Sequence, residues 1–475
     1  MPKKDPANLP TRISAEPTKR FFVEMFTRDI DLRDAILDLL DNCIDGIVRS
    51  KSFNRKHKRP YAGHWAKISL DENHFSIADN CGGISRELAE KSAFMLGRPI
   101  DFEEQEEEPT GPTVGVYGIG MKRAIFKMGR QAEVTSQTDG EAFQVTIPET
   151  WFREKDNWFL PLTPLRNPLR HSGTTIKVER LEPAIQKQFG DTKEFCDGLA
   201  GVISQTYSMI IEKGFSVSVN GPEVRPVPLI LHTVDLYKYK RGIAPYLFRA
   251  NIDGVDVDLK VGFYRPSADE DELEQEATST HSVHDAGWTI VCNDRVVVYR
   301  DKTRLTGWGE ATVPSYHAQF NSIAGIVHFR CNDASKLPLT TTKRGIEAGS
   351  EVYLQVKEKM REGLKKFTSF TNRFKVNPEY KSRLFKAAHT RPLGIIDDMS
   401  LKVKWKTDPR IKGGRIFTPS LPELDKSDNK KWIKFTKDVE EIRKVSDFLF
   451  EKPDAEPGKV GEASFNRVYR EAVKE

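Results

Sequence analysis

Three short stretches combine residue types that could do chemistry together. The first is Asp38-Leu39-Leu40-Asp41-Asn42-Cys43-Ile44-Asp45-Gly46. In a helix, positions 38, 42 and 45 fall at i, i+4 and i+7 and share one face, while Leu39 and Leu40 point towards a core. A polar stripe on an otherwise apolar helix needs a partner. A metal-bound polyphosphate is one: the asparagine amide oxygen is a hard ligand suited to Mg2+, and a carboxylate one turn away can orient water. An amphipathic helix with a solvated face gives the same pattern. The second stretch is Ile77-Ala78-Asp79-Asn80-Cys81-Gly82-Gly83-Ile84. An aspartate at a strand end, followed by paired glycines, can project its carboxylate into a cleft while the backbone turns sharply. There it could accept from an adenine amino group; a plain glycine turn is the simpler reading. The third is Gly115-Val116-Tyr117-Gly118-Ile119-Gly120-Met121-Lys122. Its glycines allow close backbone approach, the helix expected at about 120–128 offers free N–H groups to phosphate, and Lys122 adds a point charge. It does not follow a strand in a βαβ unit, so the dinucleotide fingerprint fits poorly.

The elements that must position these groups are legible as periodicities. From Phe21 to Val48 apolar residues recur at spacings of three and four, which predicts one helix carrying the first stretch. Lys67 to Ala78 reads as a hairpin turned at Asp71-Glu72-Asn73, ending at the second stretch. Residues 85–114 form a long irregular connection, a length that marks a functional or disordered loop. Strands at 131–147 and 174–180 and a helix at 184–213 complete this unit. A second unit begins near residue 222, with strands at 247–264, 288–299 and 323–331, an acidic insertion at 268–276 and a helix at 349–371. Residues 1–17 read as a flexible arm, and 372–475 mix short helices with Pro/Gly-rich connections.

The chain has 475 residues with 38% hydrophobic and 30% charged, the composition of a folded, soluble protein of roughly three domains. No apolar run approaches a membrane span, and the N-terminal residues lack the apolar core of a secretion signal. Five cysteines without metal-ligand spacing read as reduced thiols and a cytoplasmic setting. The net charge of +5 is unremarkable, but residues 351–420 hold 17 Lys/Arg against 7 Asp/Glu. Lys381, Arg383, Lys386, Arg391, Lys402, Lys404, Lys406, Arg410, Lys412 and Arg415 are interleaved there with Phe374, Tyr380, Phe385 and Trp405, a pattern suited to DNA backbone contact with base stacking. A lysine-rich solvated surface would look the same.

Taken together and in order, the three stretches resemble the GHKL ATPase superfamily, which includes gyrase-type topoisomerases, large heat-shock chaperones, MutL and MORC proteins and sensor kinases. Ser172-Gly173-Thr174-Thr175-Ile176 is a fourth match, to the family's Gly-Thr box. The resemblance implies an α+β protein: an N-terminal Bergerat-type α/β sandwich over 18–221 with an ATP lid at 85–114, a transducer-like α/β domain over 222–371, and a small mixed, basic C-terminal region over 372–475. It implies ATP and Mg2+ as ligands. Asn42 would coordinate Mg2+, with Asp45 on the same face; Asp79 would read adenine, with Thr174 helping and Gly83 lining the pocket; Gly115, Gly118, Gly120 and Lys122 would hold phosphate. Asp38 takes the place of the usual general-base glutamate, which sets its carboxylate back by about 1.5 Å. A misplacement of that size can cost on the order of 10²-fold, so hydrolysis is expected to be slow.

Trp288 to Val297 and Gly325 to Phe329 are similar to transducer strands of MutL and MORC proteins. Leu339-Thr340-Thr341-Thr342-Lys343-Arg344 sits where MORC-like proteins carry a loop whose lysine reaches the γ-phosphate, which makes Lys343 a catalytic candidate; a solvated basic loop is the alternative. The whole is similar to an ATP-gated clamp of MORC/MutL type. Such a clamp implies an ATP-dependent homodimer acting on DNA or on helicase or nuclease partners, with a bacterial defence role by analogy. A non-hydrolysing ATP sensor and a heat-shock-type chaperone are the alternatives.

Overall fold

The computed structural model describes residues 18–50, 52–95, 119–154, 157–166, 170–266, 285–340, 343–374, 384–423, 433 and 435–473. The chain divides into two compact units, residues 1–373 with 379–422 and residues 374–378 with 423–475.

The first unit opens with α1 (Lys19–Arg28) and α2 (Leu32–Arg49). The sequence predicted one helix here. The periodicity survives the break, but Asp31 turns its side chain onto the Arg33 N–H at 2.9 Å and caps a new helix. The helix expected at 184–213 is divided likewise into α4 (Pro183–Gly190), α5 (Thr192–Thr206) and a last turn at Ser208–Glu212, with Asp191 capping α5 through Glu194 N–H. Between them lies α3 (Gly120–Met128).

Seven strands make the first sheet: β1 (Trp65–Leu70), β2 (Phe75–Asp79), β3 (Gly129–Gln137), β4 (Ala142–Ile147), β5 (Leu162–Pro164), β6 (Gly173–Leu181) and β7 (Ser216–Val219). Their order is β5-β4-β3-β6-β2-β1-β7, antiparallel except for the β1–β7 pair. Strand alternation buries Ala66, Ile68 and Leu70 of β1 and Phe75 and Ile77 of β2 in one core with Leu40 and Ile44 of α2. The same alternation carries Asp79 inward at the end of β2.

The second sheet is built from β9 (Tyr246–Ile252), β10 (Val255–Phe263), β11 (Gly287–Cys292), β12 (Arg295–Asp301) and β13 (Ile323–Arg330). Asn293 and Asp294, both in the left-handed region, turn the β11–β12 hairpin as a type I′ turn requires. The long helix α6 (Glu351–Phe374) packs Phe367 and Phe370 on Phe263. The second sheet does not end before residue 372. A short β14 (His389–Pro392) pairs with β8 (Ile230–Thr233), α7 (Leu393–Ser400) follows, and β15 (Lys406–Thr407) and β16 (Arg415–Phe417) extend the sheet along β9. The α+β architecture expected from the sequence is therefore present, with part of the basic region absorbed into the second sheet.

The second unit contains the helical pair α8 (Val439–Phe450) and α9 (Pro457–Ala472), whose connection is tied by Ser446, donating to the Lys452 carbonyl and accepting from Ala455 N–H. Among the described residues no helix is long and apolar enough to cross a membrane.

Candidate functional site

Asp79 anchors one wall. Its Oδ1 accepts the backbone N–H groups of Cys81 at 2.8 Å and Thr174 at 3.3 Å, and its Oδ2 lies 3.5 Å from the Cys43 thiol of α2. Burial raises its pKa above the usual 3.8, against the pull of these hydrogen bonds. The Thr174 hydroxyl lies 3.4 Å from Ser136 Oγ, which in turn accepts from Ile84 N–H. The glycines explain how three chain segments meet here. A Cβ on Gly83, itself at φ +73°, would fall 2.1 Å from the Gln137 carbonyl oxygen; one on Gly173 would fall 2.0 Å from the Asp79 carbonyl oxygen; one on Gly46 would fall 2.5 Å from that of Cys81. Backbone thus packs on backbone, and no residue with a side chain fits at these positions. Gly46 and Gly173 carry this role without having been singled out for it.

On α2 the expected polar stripe is uneven. Asn42 is exposed, and its side chain takes no hydrogen bond among the described residues, whereas Asp38 and Asp45 are buried on either side of it. Asp38 is not a free carboxylate: Arg123 of α3 donates to its Oδ2 at 2.5 Å. Gly120 opens α3 so close that a Cβ there would stand 3.2 Å from Asp38 Cβ. Arg123 had no sequence signal, because the pair spans 85 residues. Its Nε is buried without an acceptor among the described residues.

Lys122, expected on phosphate, is buried, and its ammonium donates to the Met95 carbonyl. It ties α3 to the described part of the lid stretch, where Ser85 caps a short helical turn at Arg86–Leu88. Residues 96–114 of the lid, and with them Gly115 and Gly118, lie outside the described residues, as do Thr341 and Thr342.

The second sheet reaches α2 through two loops. Asp41, fully buried, accepts from Tyr207 Oη at 2.8 Å, Arg295 Nε at 2.9 Å and Lys343 Nζ at 3.1 Å. Burial alone would raise its pKa, but Arg295 and Lys343 hold it below the usual value. Arg295 also donates through Nη1 to the Lys343 carbonyl at 2.6 Å, which fixes that residue at φ +57°. Arg344 pairs with Asp34, seven residues before Asp41 on the same helix. Lys343 and Arg344 are therefore not a solvated loop. The hairpin tip makes a further junction: Asp294 accepts from Lys213 at 2.6 Å and Tyr61 at 3.2 Å. Burial opposes its ionisation, yet Lys213 and His328 hold its pKa well below the usual range.

Of the aromatics expected to stack on bases, Phe385 is interior, against Phe263 at 5.3 Å, and Trp405 lies half-buried beneath Arg249 at 5.2 Å. Phe374 has no described side chain, and Tyr380, Lys381 and Arg383 fall outside the described residues.

A seven-stranded antiparallel-rich sheet thus carries a buried aspartate at a strand end, faced by a helix with an exposed asparagine. Residues 30–174 match the family of histidine kinase-, DNA gyrase B-, and HSP90-like ATPases, a span that includes the first three motif stretches and ends at Thr174 within the fourth. No curated protein matches the chain.

Proposed function

We propose that this chain binds ATP with Mg2+ between α2, α3 and the β2 and β6 strand ends, hydrolyses it slowly, and uses the bound nucleotide to close a clamp of MORC/MutL type as a homodimer, acting on DNA or DNA-processing partners. The observation that carries the reading is Asp79. It is a buried carboxylate with one oxygen committed to two backbone N–H groups and the other 3.5 Å from the Cys43 thiol, a weak donor, which leaves acceptor capacity for an adenine amino group. Asn42 fits Mg2+. Among the described residues no cluster of three or more acidic, His or Cys side chains could cage a metal, and Mg2+ characteristically takes one or two protein ligands and completes its shell with water and phosphate. When bound, the ion would neutralise phosphate charge. Asn42 supplies an amide oxygen, Asp38 orients water under the restraint of Arg123, and the unpartnered Arg123 Nε is a donor beside the phosphate path.

Lys343 gives the clamp its link. Its ammonium rests on Asp41, one residue from Asn42. A terminal phosphate of roughly two negative charges competes for it, and only such a differential contact can make the position of the second sheet depend on nucleotide.

The test is calorimetric titration of Asp79→Asn with ATP. Loss of binding in a folded variant is expected, with GTP a poor competitor because its 6-oxo group places an acceptor against an acceptor. Unchanged ATP affinity in a folded Asp79→Asn protein would remove the nucleotide reading.

A further inference from the structure

The strongest unassigned surface lies on the second sheet, away from Asp79 and α2 in the chain. Residues 237–241 read Tyr-Lys-Tyr-Lys-Arg. They occupy a turn after β8 and not a strand, so nothing in a β-pleat forces their side chains to opposite faces. Tyr237 is 56% exposed and Tyr239 44% exposed. Large aromatics at such exposure contribute little to a core, and both rings line the same cleft. The opposite wall is Phe417, Thr418, Pro419 and Ser420, brought there by β16, and the Gly242 N–H donates to the Ser420 carbonyl at 3.1 Å to close one end. The cleft encloses about 240 Å³.

The rim is cationic. The Lys402 ammonium sits 4.9 Å from the Tyr237 ring centroid, and Lys240 lines the cleft. Residues 234–244 and 401–420 together hold nine Lys/Arg and two Asp. One of the two, Asp408, is buried against Lys359 at 2.6 Å. Lys402, Lys404, Lys406, Arg410, Lys412 and Arg415 are all exposed.

We propose that this cleft binds single-stranded nucleic acid: bases stack on Tyr237 and Tyr239, and the backbone runs along the ridge of Lys240, Lys402, Lys404 and Lys406. A basic track beside exposed aromatic faces is what unpaired strands need, since every base has a face to stack and every phosphate a charge to meet. A duplex hides its base faces and would use the lysines alone. The site goes beyond the nucleotide reading and does not depend on it.

The experiment is fluorescence anisotropy of the full chain with a labelled oligothymidine or oligouridine of roughly 15 nucleotides, against a duplex of equal length, over a salt series. Stacking is worth about 1–3 kcal/mol per base, so the Tyr237→Ala/Tyr239→Ala pair should weaken single-strand binding by at least about tenfold at an unchanged salt slope. Tyr237→Phe/Tyr239→Phe should retain it, since the ring and not the phenol does the stacking. Lys240→Ala/Lys402→Ala should instead lower the slope by about 1.4, or roughly 0.7 per lost phosphate contact. Each variant should bind ATP like the parent, which separates failure here from failure of the nucleotide reading. Three results overturn the proposal: no binding of either strand, duplex bound as tightly as single strand, or a tyrosine pair whose loss changes nothing. Complete displacement by anionic vesicles with no tyrosine effect would assign the ridge to a lipid surface.

Discussion

Asp41 can be tested through the ammonium it holds. At 3.1 Å and an effective dielectric of about 20, the Lys343–Asp41 attraction is about 5 kcal/mol before desolvation. The net value of a hydrogen bond to a charged group is about 1.5–3 kcal/mol. Lys343→Met should cost about that much in urea unfolding, because Asp41 keeps Arg295 and Tyr207. Asp41→Asn should cost more, about 3–5 kcal/mol, since it strips the counter-charge from Arg295, whose side chain is only 4% exposed. In the double variant the second change should cost less than alone, and the cycle should give a coupling of about 1–3 kcal/mol. The nucleotide arm runs the other way. With Asp41→Asn, Lys343 has no carboxylate to leave, so protease protection of residues 85–95 by a non-hydrolysable ATP analogue should appear at lower concentration, about tenfold for each 1.4 kcal/mol released. Lys343→Met should bind the analogue and fail to show the protection. A coupling within about 0.3 kcal/mol of zero, with protection unchanged in both variants, would refute the exchange between carboxylate and phosphate.

Gly83→Ala and Gly173→Ala should each lose about 2–4 kcal/mol of stability, because their first side-chain carbons meet carbonyl oxygens at 2.1 and 2.0 Å; Gly140→Ala, with open space around it, should not. His328 is buried and beside Arg330, and its pKa falls from 6.5 to about 3. The unfolded chain therefore takes up a proton below pH 6.5 that the folded chain refuses until about pH 3. Its contribution is fully present above 6.5 and is lost as pH falls towards 3, so thermal stability should drop faster between pH 7 and 5 in the parent than in His328→Gln.

Much of the packing around Asp79 was legible because it is local. Asp79, Gly83 and Thr174 fall in short stretches whose residue types and order carry the signal, and strand alternation through Phe75 and Ile77 already points Asp79 inward. What was not legible depends on contacts distant in sequence. Asp38 reads as a free base until Arg123 is placed beside it. Asp41 lies about 100° around the helix from Asn42, off the polar face shared by positions 38, 42 and 45. That same offset aims it away from the Asn42 face and into Tyr207, Arg295 and Lys343. The break before α2 was invisible because apolar spacing continues across it, and only the competing Asp31 cap ends the first helix. Phe385 looked like a stacking residue by composition, and packing on Phe263 makes it core.

Arg295 holds Asp41 through Nε and the Lys343 carbonyl through Nη1. The backbone of the loop is therefore anchored independently of the lysine's own ammonium, and Arg344 on Asp34 secures it a second time. The ammonium can change partners while the loop stays where it is. Such a response is a rotamer change, on the picosecond-to-nanosecond scale of side chains, where a loop that had to detach would take up to microseconds. On the proposed exchange of Lys343 between Asp41 and a phosphate, sensing precedes any rearrangement it triggers, and the slow step falls to the elements that move afterwards.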